Sequence, residues 1–373
     1  MATFSKSTFD AASYLAFRPS YPPWLYDHVL AFHRSSRNVT SGGVDPAAIQ
    51  RQHRGGDTPA PAPQFRSAWD LGCGPGISTI ALLPHFGSVK GLEPSANMVA
   101  NALRLDSRSS LETLPAALRE LLKPNDKNHD KNFGTVDYVQ GNAEDLDKFC
   151  KPASADLIIA AQAAHWFFYD RLWPSLSRSI APGGTVAFWC YAEFGLPDFP
   201  EHATAPLISA FMSAPGRMGD EARALVDGGE VTNVGGFFEQ PGRTILERGL
   251  VDVPWPWEVE GCDAAEWDQA SASRSMHSVL SLHTNSEWPP IHNESQAAGQ
   301  VMDRVVSWDG LERYLRTASA VNNFLHQHPD DKAQHAGRDV VQRFVDRLRE
   351  NVPSGTETLR LRWPLSLMMV KAR

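Results

Sequence analysis

Three glycines at alternate positions behind an acid, in the run Asp70-Leu71-Gly72-Cys73-Gly74-Pro75-Gly76, are the residues of this chain best suited to holding a ligand against bare backbone. A glycine has no Cβ, so the main chain can approach a ligand more closely there than at any other residue. The apolar lead-in Phe65-Arg66-Ser67-Ala68-Trp69 predicts a buried strand before the turn, and Ile77 begins a helix after it. The N–H groups and positive dipole end of such a helix would face whatever lies on the turn. The spacing is not that of a dinucleotide turn, where the third glycine falls one residue later. A second acid, Glu93, ends the run Ser88-Val89-Lys90-Gly91-Leu92-Glu93. At the carboxyl end of a strand in a doubly wound sheet, a carboxylate can accept both hydroxyls of a ribose. His165 offers an imidazole with an ordinary pKa of about 6.5, suited to moving a proton near neutrality. Arg18 and Arg316 carry planar forks that match a carboxylate.

The elements that must position these groups read as alternating strands and helices. Ile77, Ile80, Ala81 and Leu83 give the helix after the turn an apolar face, and Ser88–Glu93 is a second strand. Val136–Gln140 is a third, followed by the loop Gly141-Asn142-Ala143-Glu144-Asp145. Ala155-Asp156-Leu157-Ile158-Ile159-Ala160 is a short apolar run of the kind buried on both faces of a parallel sheet. It leads into Ala161-Gln162-Ala163-Ala164-His165-Trp166-Phe167. A helix then ends in Ile180-Ala181-Pro182-Gly183-Gly184, a helix stop and reversal, before the strand Thr185–Trp189. The expected fold class is α/β, a doubly wound, mostly parallel seven-stranded sheet of Rossmann-like type with an inserted cap region.

An acid followed by G-x-G-x-G, then an acid at the end of the second strand, resembles motif I and its sequel in the class I S-adenosylmethionine (SAM) methyltransferases. Phe9, Tyr14 and Arg18-Pro19-Ser20-Tyr21-Pro22 resemble the N-terminal signature of a small-molecule branch of that family (methyltransferase type 11-like), as do Ala164–Phe167 and Ala181–Gly184. Tyr314-Leu315-Arg316-Thr317-Ala318-Ser319-Ala320 is similar to a helix of the fungal trans-aconitate methyltransferase group, whose members methylate a carboxylate of a small acid. Those relatives commonly carry Trp where this chain has Ala318. The likeness covers residues 5–33, 65–195 and 305–370.

The resemblance implies SAM as the cofactor and assigns roles by motif position. Gly72, Cys73, Gly74 and Gly76 form the cofactor turn, Asp70 meets the cofactor's ammonium group, and Glu93 with Pro94 holds the ribose. Asn142, Ala143 and Glu144 belong to the loop that packs on adenine, and Gln162 bonds the methionine end. Phe9, Tyr14 and Tyr21 belong to an N-terminal helix that closes over the cofactor in related enzymes, Tyr14 and Arg18 on the cofactor side and Phe9 and Tyr21 on the substrate side. Trp166 and Arg316 complete the substrate-binding set. A carboxylate acceptor is already ionised and needs only orienting groups, for which Arg18 and Arg316 are the candidates unless they serve in ion pairs or packing. For a hydroxyl or amine acceptor His165 is the candidate base; otherwise His165 and Trp166 wall the pocket.

Composition sets the outer bounds. The chain has 373 residues, 42% of them hydrophobic, and a net charge of −8 without a block of Lys or Arg. Nucleic acid is excluded as a partner on that balance, because phosphates call for a basic stripe. No apolar run is long enough to span a membrane, and the N-terminus lacks an apolar signal core. The four cysteines have no metal-ligand spacing, which predicts reduced thiols in the cytoplasm and no metal. His277, His283, His292, His326, His328 and His335 likewise lack the spacing of a zinc site. The expected partition is an N-terminal helical lid over residues 1–33, a SAM-binding core over 65–195, an inserted substrate cap over 196–310, and a C-terminal helix with the last strands over 311–373. The cap holds Trp255, Trp257, Trp267, Trp288, Trp308, Phe237 and Phe238, and one or two of these are expected to line a pocket. The expected function is SAM-dependent methylation of a small molecule on a carboxylate or hydroxyl oxygen. The alternatives are a SAM-binding enzyme of non-methylating chemistry, or a regulatory protein on the same scaffold.

Overall fold

Strands rich in apolar residues over short lengths pair most readily inside a sheet covered on both faces, and the strands of this chain follow that rule. In the computed structural model, which describes Tyr14 and residues 16–35, 64–105, 134–278 and 300–373, β1 (Phe65–Leu71), β2 (Phe86–Glu93), β3 (Thr135–Gln140), β4 (Ala155–Ala161) and β5 (Ile180–Tyr191) join β6 (Trp267–His277) and β9 (Leu365–Ala372) in a seven-stranded sheet. Its order is β3-β2-β1-β4-β5-β9-β6. The pairs β1–β2, β1–β4, β2–β3 and β4–β5 are parallel, and the order reverses across β1 and β4. Every residue of β9 is buried, and in β4 only Asp156 is not, because it accepts hydrogen bonds from Arg66.

The helices of this unit are α1 (Pro23–Arg34), α2 (Ile77–Ala81), α3 (Ala96–Leu105) and α4 (Tyr169–Ser179). Pro23 occupies the first turn of α1, where its missing N–H costs nothing. Leu25, Tyr26, Val29, Leu30 and Phe32 recur at helical spacing and are the buried face. Trp173 of α4 is wholly buried against Phe188 and Trp267, with ring centroids 5.6 and 5.4 Å away. Its indole N–H donates to the Pro254 carbonyl at 2.9 Å.

By contacts the chain divides into two compact units. The sheet unit comprises residues 20–189, 253–274 and 367–373. The second unit comprises residues 1–19, 190–252 and 275–366, of which only the described ones are discussed. It contains α5 (Glu201–Met212), α6 (Asp220–Asp227), α7 (Gly242–Glu247), α8 (Trp308–Arg316), α9 (Ser319–Gln327) and α10 (Val340–Glu350), with the antiparallel pair β7 (Asp303–Ser307) and β8 (Thr358–Arg362). Phe211 of α5 stacks on Phe344 of α10 at 4.1 Å, and Trp363 donates to the Tyr314 hydroxyl at 2.9 Å.

Two expectations are corrected here. The segment 196–310 is not one insertion, since residues 253–274 lie in the sheet unit and include most of β6. Trp267 is accordingly sheet core, with its N–H donating to Ser177 at 3.2 Å. The reversal at Ala181–Gly184 is not a break between helix and strand, because β5 already begins at Ile180. Ile180 pairs with Ala155 and Thr185 with Leu157, so one residue of β4 faces four of β5 and the Pro-Gly-Gly segment bulges out of the ladder. Among the described residues, no helix is long and apolar enough to cross a membrane.

Because Trp173 fills the space between Phe188 and Trp267, Trp173→Ala is expected to destabilise the protein by about 3–5 kcal/mol, the usual cost of emptying a large aromatic site. Urea denaturation followed by circular dichroism measures it, and a loss under about 1 kcal/mol would contradict this packing.

Candidate functional site: the carboxyl ends of β1, β2 and β4

The glycine turn leaves β1 with Gly72, Gly74 and Gly76 all at positive φ, +64°, +55° and +89°. A Cβ built on Gly76 would collide with the Tyr138 hydroxyl, so that glycine serves the packing of the turn on β3. A Cβ on Gly74 would meet no atom of the described residues within 4 Å. The space beside Gly74 is open, and there the absent side chain leaves room for a ligand.

The turn is held by the acid of the next strand. The Gly74 N–H donates to Glu93 Oε2 at 3.0 Å, and the Ser95 N–H donates to Oε1 at 2.9 Å. A carboxylate has about four lone-pair sites, so two remain for ligand hydroxyls. Glu93 is buried, which raises its pKa, while the two backbone N–H groups oppose the rise. Gly72 and Cys73 donate their N–H groups to the Leu92 carbonyl and Gly76 donates to that of Cys73, while α2 is only five residues long. The turn offers space rather than free N–H groups.

Asp70 is fully buried at the end of β1. Its Oδ2 accepts the Ser78 and Thr79 hydroxyls at 2.6 and 2.7 Å, and its Oδ1 has no hydrogen-bond partner among the described residues. Burial pushes its pKa up to about 7 against the two hydroxyl bonds, and the Glu93 charge adds to the rise. The Tyr26 hydroxyl and the Trp189 indole N–H, also in the sheet unit, are likewise buried without partners. The Tyr26 and Trp189 rings meet edge to face at 5.9 Å. Orphaned polar atoms of this kind call for a polar ligand or water.

On β4 the chain turns sharply. Gln162 has φ +57°, an uncommon conformation for a residue with a side chain, and its N–H donates to the Trp189 carbonyl at 2.8 Å. Ala164–Trp166 forms a single 3-10 turn in which His165 is buried and Trp166 is half-buried, the two rings 4.8 Å apart. On the neighbouring loop Ala143 is buried and Asn142 exposed. Glu144 accepts the Phe168 N–H at 2.9 Å, so it ties the β3 loop to the β4 loop instead of offering that oxygen to a base. Pro94 is half-buried and its carbonyl accepts from Gln140 at 3.2 Å. Tyr21 is buried edge-on against Trp189 at 5.6 Å. Cys73 is a packing thiol beside Ala102 and Tyr138, its pKa raised far above the ordinary thiol range by burial.

The structure brings Asp70, Gly72, Cys73, Gly74, Gly76, Glu93, Pro94, Asn142, Ala143, Glu144, Gln162, His165, Trp166 and Tyr21 into one unit, and it gives other work to both arginines. Arg18, in the second unit, donates to the Tyr191 hydroxyl at 2.9 Å and the Thr317 carbonyl at 3.1 Å, and lies over the rings of Tyr14 and Tyr314. Arg316, also in that unit, ion-pairs with Glu312 at 2.7 Å and Asp339 at 2.8 Å. Arg18 keeps a buried Nε without a hydrogen-bond partner among the described residues, whereas Arg316 is engaged by its two acids. Phe9, Trp288, His283 and His292 lie outside the described residues. Among the described residues no group of three or more His, Cys, Asp or Glu is placed to hold a metal. Ser78, Thr79, Tyr26 and Trp189 escaped the sequence reading. Only Ser78-Thr79 directly behind the glycine turn signalled itself, as hydroxyls within reach of the acid that precedes it.

These features fit SAM: an open place beside Gly74, a fixed carboxylate for a ribose, and an orphaned buried carboxylate oxygen for a cation. Sheet, turn and acid together are similar in arrangement to a class I SAM-dependent methyltransferase domain. Residues 69–188 match the family model described as "Methyltransferase domain". The chain is 27% identical over 199 residues to the Saccharomyces cerevisiae protein named "Probable S-adenosylmethionine-dependent methyltransferase CRG1", covering 53% of this chain and 51% of that one. It is 24% identical to "Methyltransferase pgmE" of Aspergillus terreus over 52% of this chain and 44% of that protein. The chain thus spans about half the length of these relatives. In fold it is similar to a structure assigned to a type II methyltransferase of Anaeromyxobacter dehalogenans, with TM-score 0.51 and 21% identity over 95% of this chain and 97% of that one.

Gly74→Ala is expected to lower SAM affinity by about ten- to a hundredfold, since overpacking costs about 1–3 kcal/mol. The fold should survive, at a backbone cost of about 1–2 kcal/mol for the positive φ. Calorimetric titration with SAM and S-adenosylhomocysteine checks this, and unchanged affinity would move the ligand away from the turn. Asp70 gives a pH signature. Its folded pKa lies above the ordinary carboxylate value, so its contribution to stability is full in acid and is lost as pH rises through about 7. Asp70→Asn keeps an acceptor for Ser78 and Thr79 and is expected to flatten the fall in melting temperature between about pH 5 and pH 8 in the ligand-free protein. Parallel melting profiles for the variant and the parent would rule that out.

Proposed function

We propose that the protein transfers a methyl group from SAM to an oxygen of a small molecule. The observation that carries this reading is the space beside Gly74, bounded by a Glu93 carboxylate fixed by the Gly74 and Ser95 N–H groups. When bound, SAM supplies a methyl group activated by a sulfonium charge. Glu93 accepts the ribose hydroxyls, and Asp70 Oδ1 faces the ammonium group. Ala143 walls the adenine, while the strained turn at Gln162 directs the chain after β4 toward the methionine end. These roles come from motif position together with the burial and bonding described above. The free cysteines suit a cytoplasmic enzyme.

The acceptor is more consistently a hydroxyl than a carboxylate. The likeness to trans-aconitate methyltransferases points to a carboxylate, but Arg18 and Arg316, the forks that would orient one, are engaged inside the second unit. A hydroxyl needs a base, and His165 follows β4 in the buried 3-10 turn. In that role its neutral imidazole takes the hydroxyl proton as the new O–CH3 bond forms. Tyr21 and Trp166 remain candidates for contact with the acceptor. A non-methylating use of the same cofactor would leave binding intact and produce no methylated product, so methyl transfer separates the two readings.

Incubation with methyl-labelled SAM and panels of hydroxylated metabolites and small carboxylic acids is expected to label the hydroxylated set. His165→Ala is expected to lower kcat by about a hundred- to ten-thousandfold, the usual worth of a positioned base, with SAM affinity within about twofold of the parent. A variant with undiminished kcat would make His165 a wall. Binding of SAM without label transfer to any acceptor would favour the non-methylating reading.

A further inference from the structure

A cavity of about 850 Å³ not used by the cofactor site lies wholly within the second unit. Ligand pockets for small molecules occupy roughly 300–1,000 Å³ and combine apolar walls with a few converging polar groups. This cavity has that make-up. Phe194, Pro206 and Ile208 supply apolar wall, and α5 presents Ser209 to it.

Its polar lining is one-sided. At the inner end Arg243, buried beneath the cavity, ion-pairs with Glu193 and with Glu247 at 2.5 Å, and its guanidinium lies 4.1 Å from the Phe238 ring centroid. The Ser213 hydroxyl donates to Glu193 Oε2 at 2.9 Å, and Ser209 and Ser213 Oγ are 2.9 Å apart. Each hydroxyl has one proton. Ser213 donates to Glu193, either hydroxyl can donate across the Ser209–Ser213 contact, and Ser209 Oγ keeps a lone pair for a donor in the cavity. Glu201, Asp220 and Glu221 stand exposed at the edge. Among the described lining residues five carboxylates outnumber Arg217, and Arg243 behind the wall pairs with two of them, Glu193 and Glu247. Such a field concentrates cations and repels anions.

We propose that this cavity is a binding site for a small molecule bearing a protonated amine on an apolar body. The apolar body packs on Phe194, Pro206 and Ile208. The ammonium donates to Ser209 Oγ and lies in the field of the rim acids. The reading does not depend on methyl transfer, so it stands or falls separately from the proposed activity.

The test is calorimetric titration of the whole chain with three probes that share an indole body: tryptamine, tryptophol and indole-3-acetate. Tryptamine is expected to bind at least about tenfold tighter than indole-3-acetate, with tryptophol between them. Ala205→Phe, from the half-buried face of α5 that lines the cavity, is expected to abolish tryptamine binding. Ser209→Ala is expected to weaken it about fivefold through loss of one acceptor. Melting by circular dichroism verifies that each variant is folded, and Ser209→Ala carries the test should Ala205→Phe unfold. Indole-3-acetate binding as tightly as tryptamine, no binding of tryptamine, or unchanged tryptamine affinity in the folded variants would overturn the proposal.

Discussion

The Glu93 carboxylate is the constraint from which the cofactor end of the sheet takes its form. Parallel pairing sets Asp70 against Gly91 and Leu71 against Leu92, which brings the end of β2 level with the start of the glycine turn. Glu93 then receives the Gly74 N–H on one oxygen and the Ser95 N–H on the other. A buried carboxylate left bare would cost several kcal/mol or take up a proton. Two backbone donors oppose that cost and at the same time fix the turn whose open side faces the ligand. The same bonds that satisfy the acid therefore shape the cradle. The N–H groups of Gly72, Cys73 and Gly76 are used within the protein, which is why the site depends on the space that Gly74 leaves.

Asp70 is the complementary case. Its two hydroxyl donors sit on one oxygen, and the other is unpartnered at full burial. A structural acid would have been satisfied on both sides or replaced at no loss by an apolar residue. An acid kept half-satisfied beside the partnerless Tyr26 hydroxyl and Trp189 indole holds its charge only when a cation or water arrives. The pKa near 7 is the electrostatic expression of that unfinished bonding.

Much of the sheet unit was legible from the chain because its signals are local. An apolar run such as Ala155–Ala160 fits few alternatives to a buried strand, and alternate glycines after Asp70 specify positive φ at each. The observed strands differ from the expected ones by only a few residues at their ends. The Pro-Gly-Gly segment misled because a helix stop and a wide bulge use the same residue types, and only the pairing of Ile180 with Ala155 tells them apart. Trp267 misled because aromatic content does not reveal which unit a residue packs into. Ser78, Thr79, Tyr26 and Trp189 were missed since their importance lies in the partners they have or lack, a property of the folded chain alone.

The two arginines show where a sequence reading of charge runs out. A guanidinium brings five donors, and folding engages most of them before any ligand arrives, although Arg18 Nε is buried without a partner among the described residues. Arg18 finds a tyrosine hydroxyl, a carbonyl and two aromatic faces, and Arg316 finds two carboxylates. Arg243 behaves likewise, joining two acids beneath the cavity. Arg217 lines the cavity itself, and the carboxylates of Glu201, Asp220 and Glu221 stand at its mouth. Charge pairing inside the second unit thus decides which of its polar groups are left to face a ligand of that cavity.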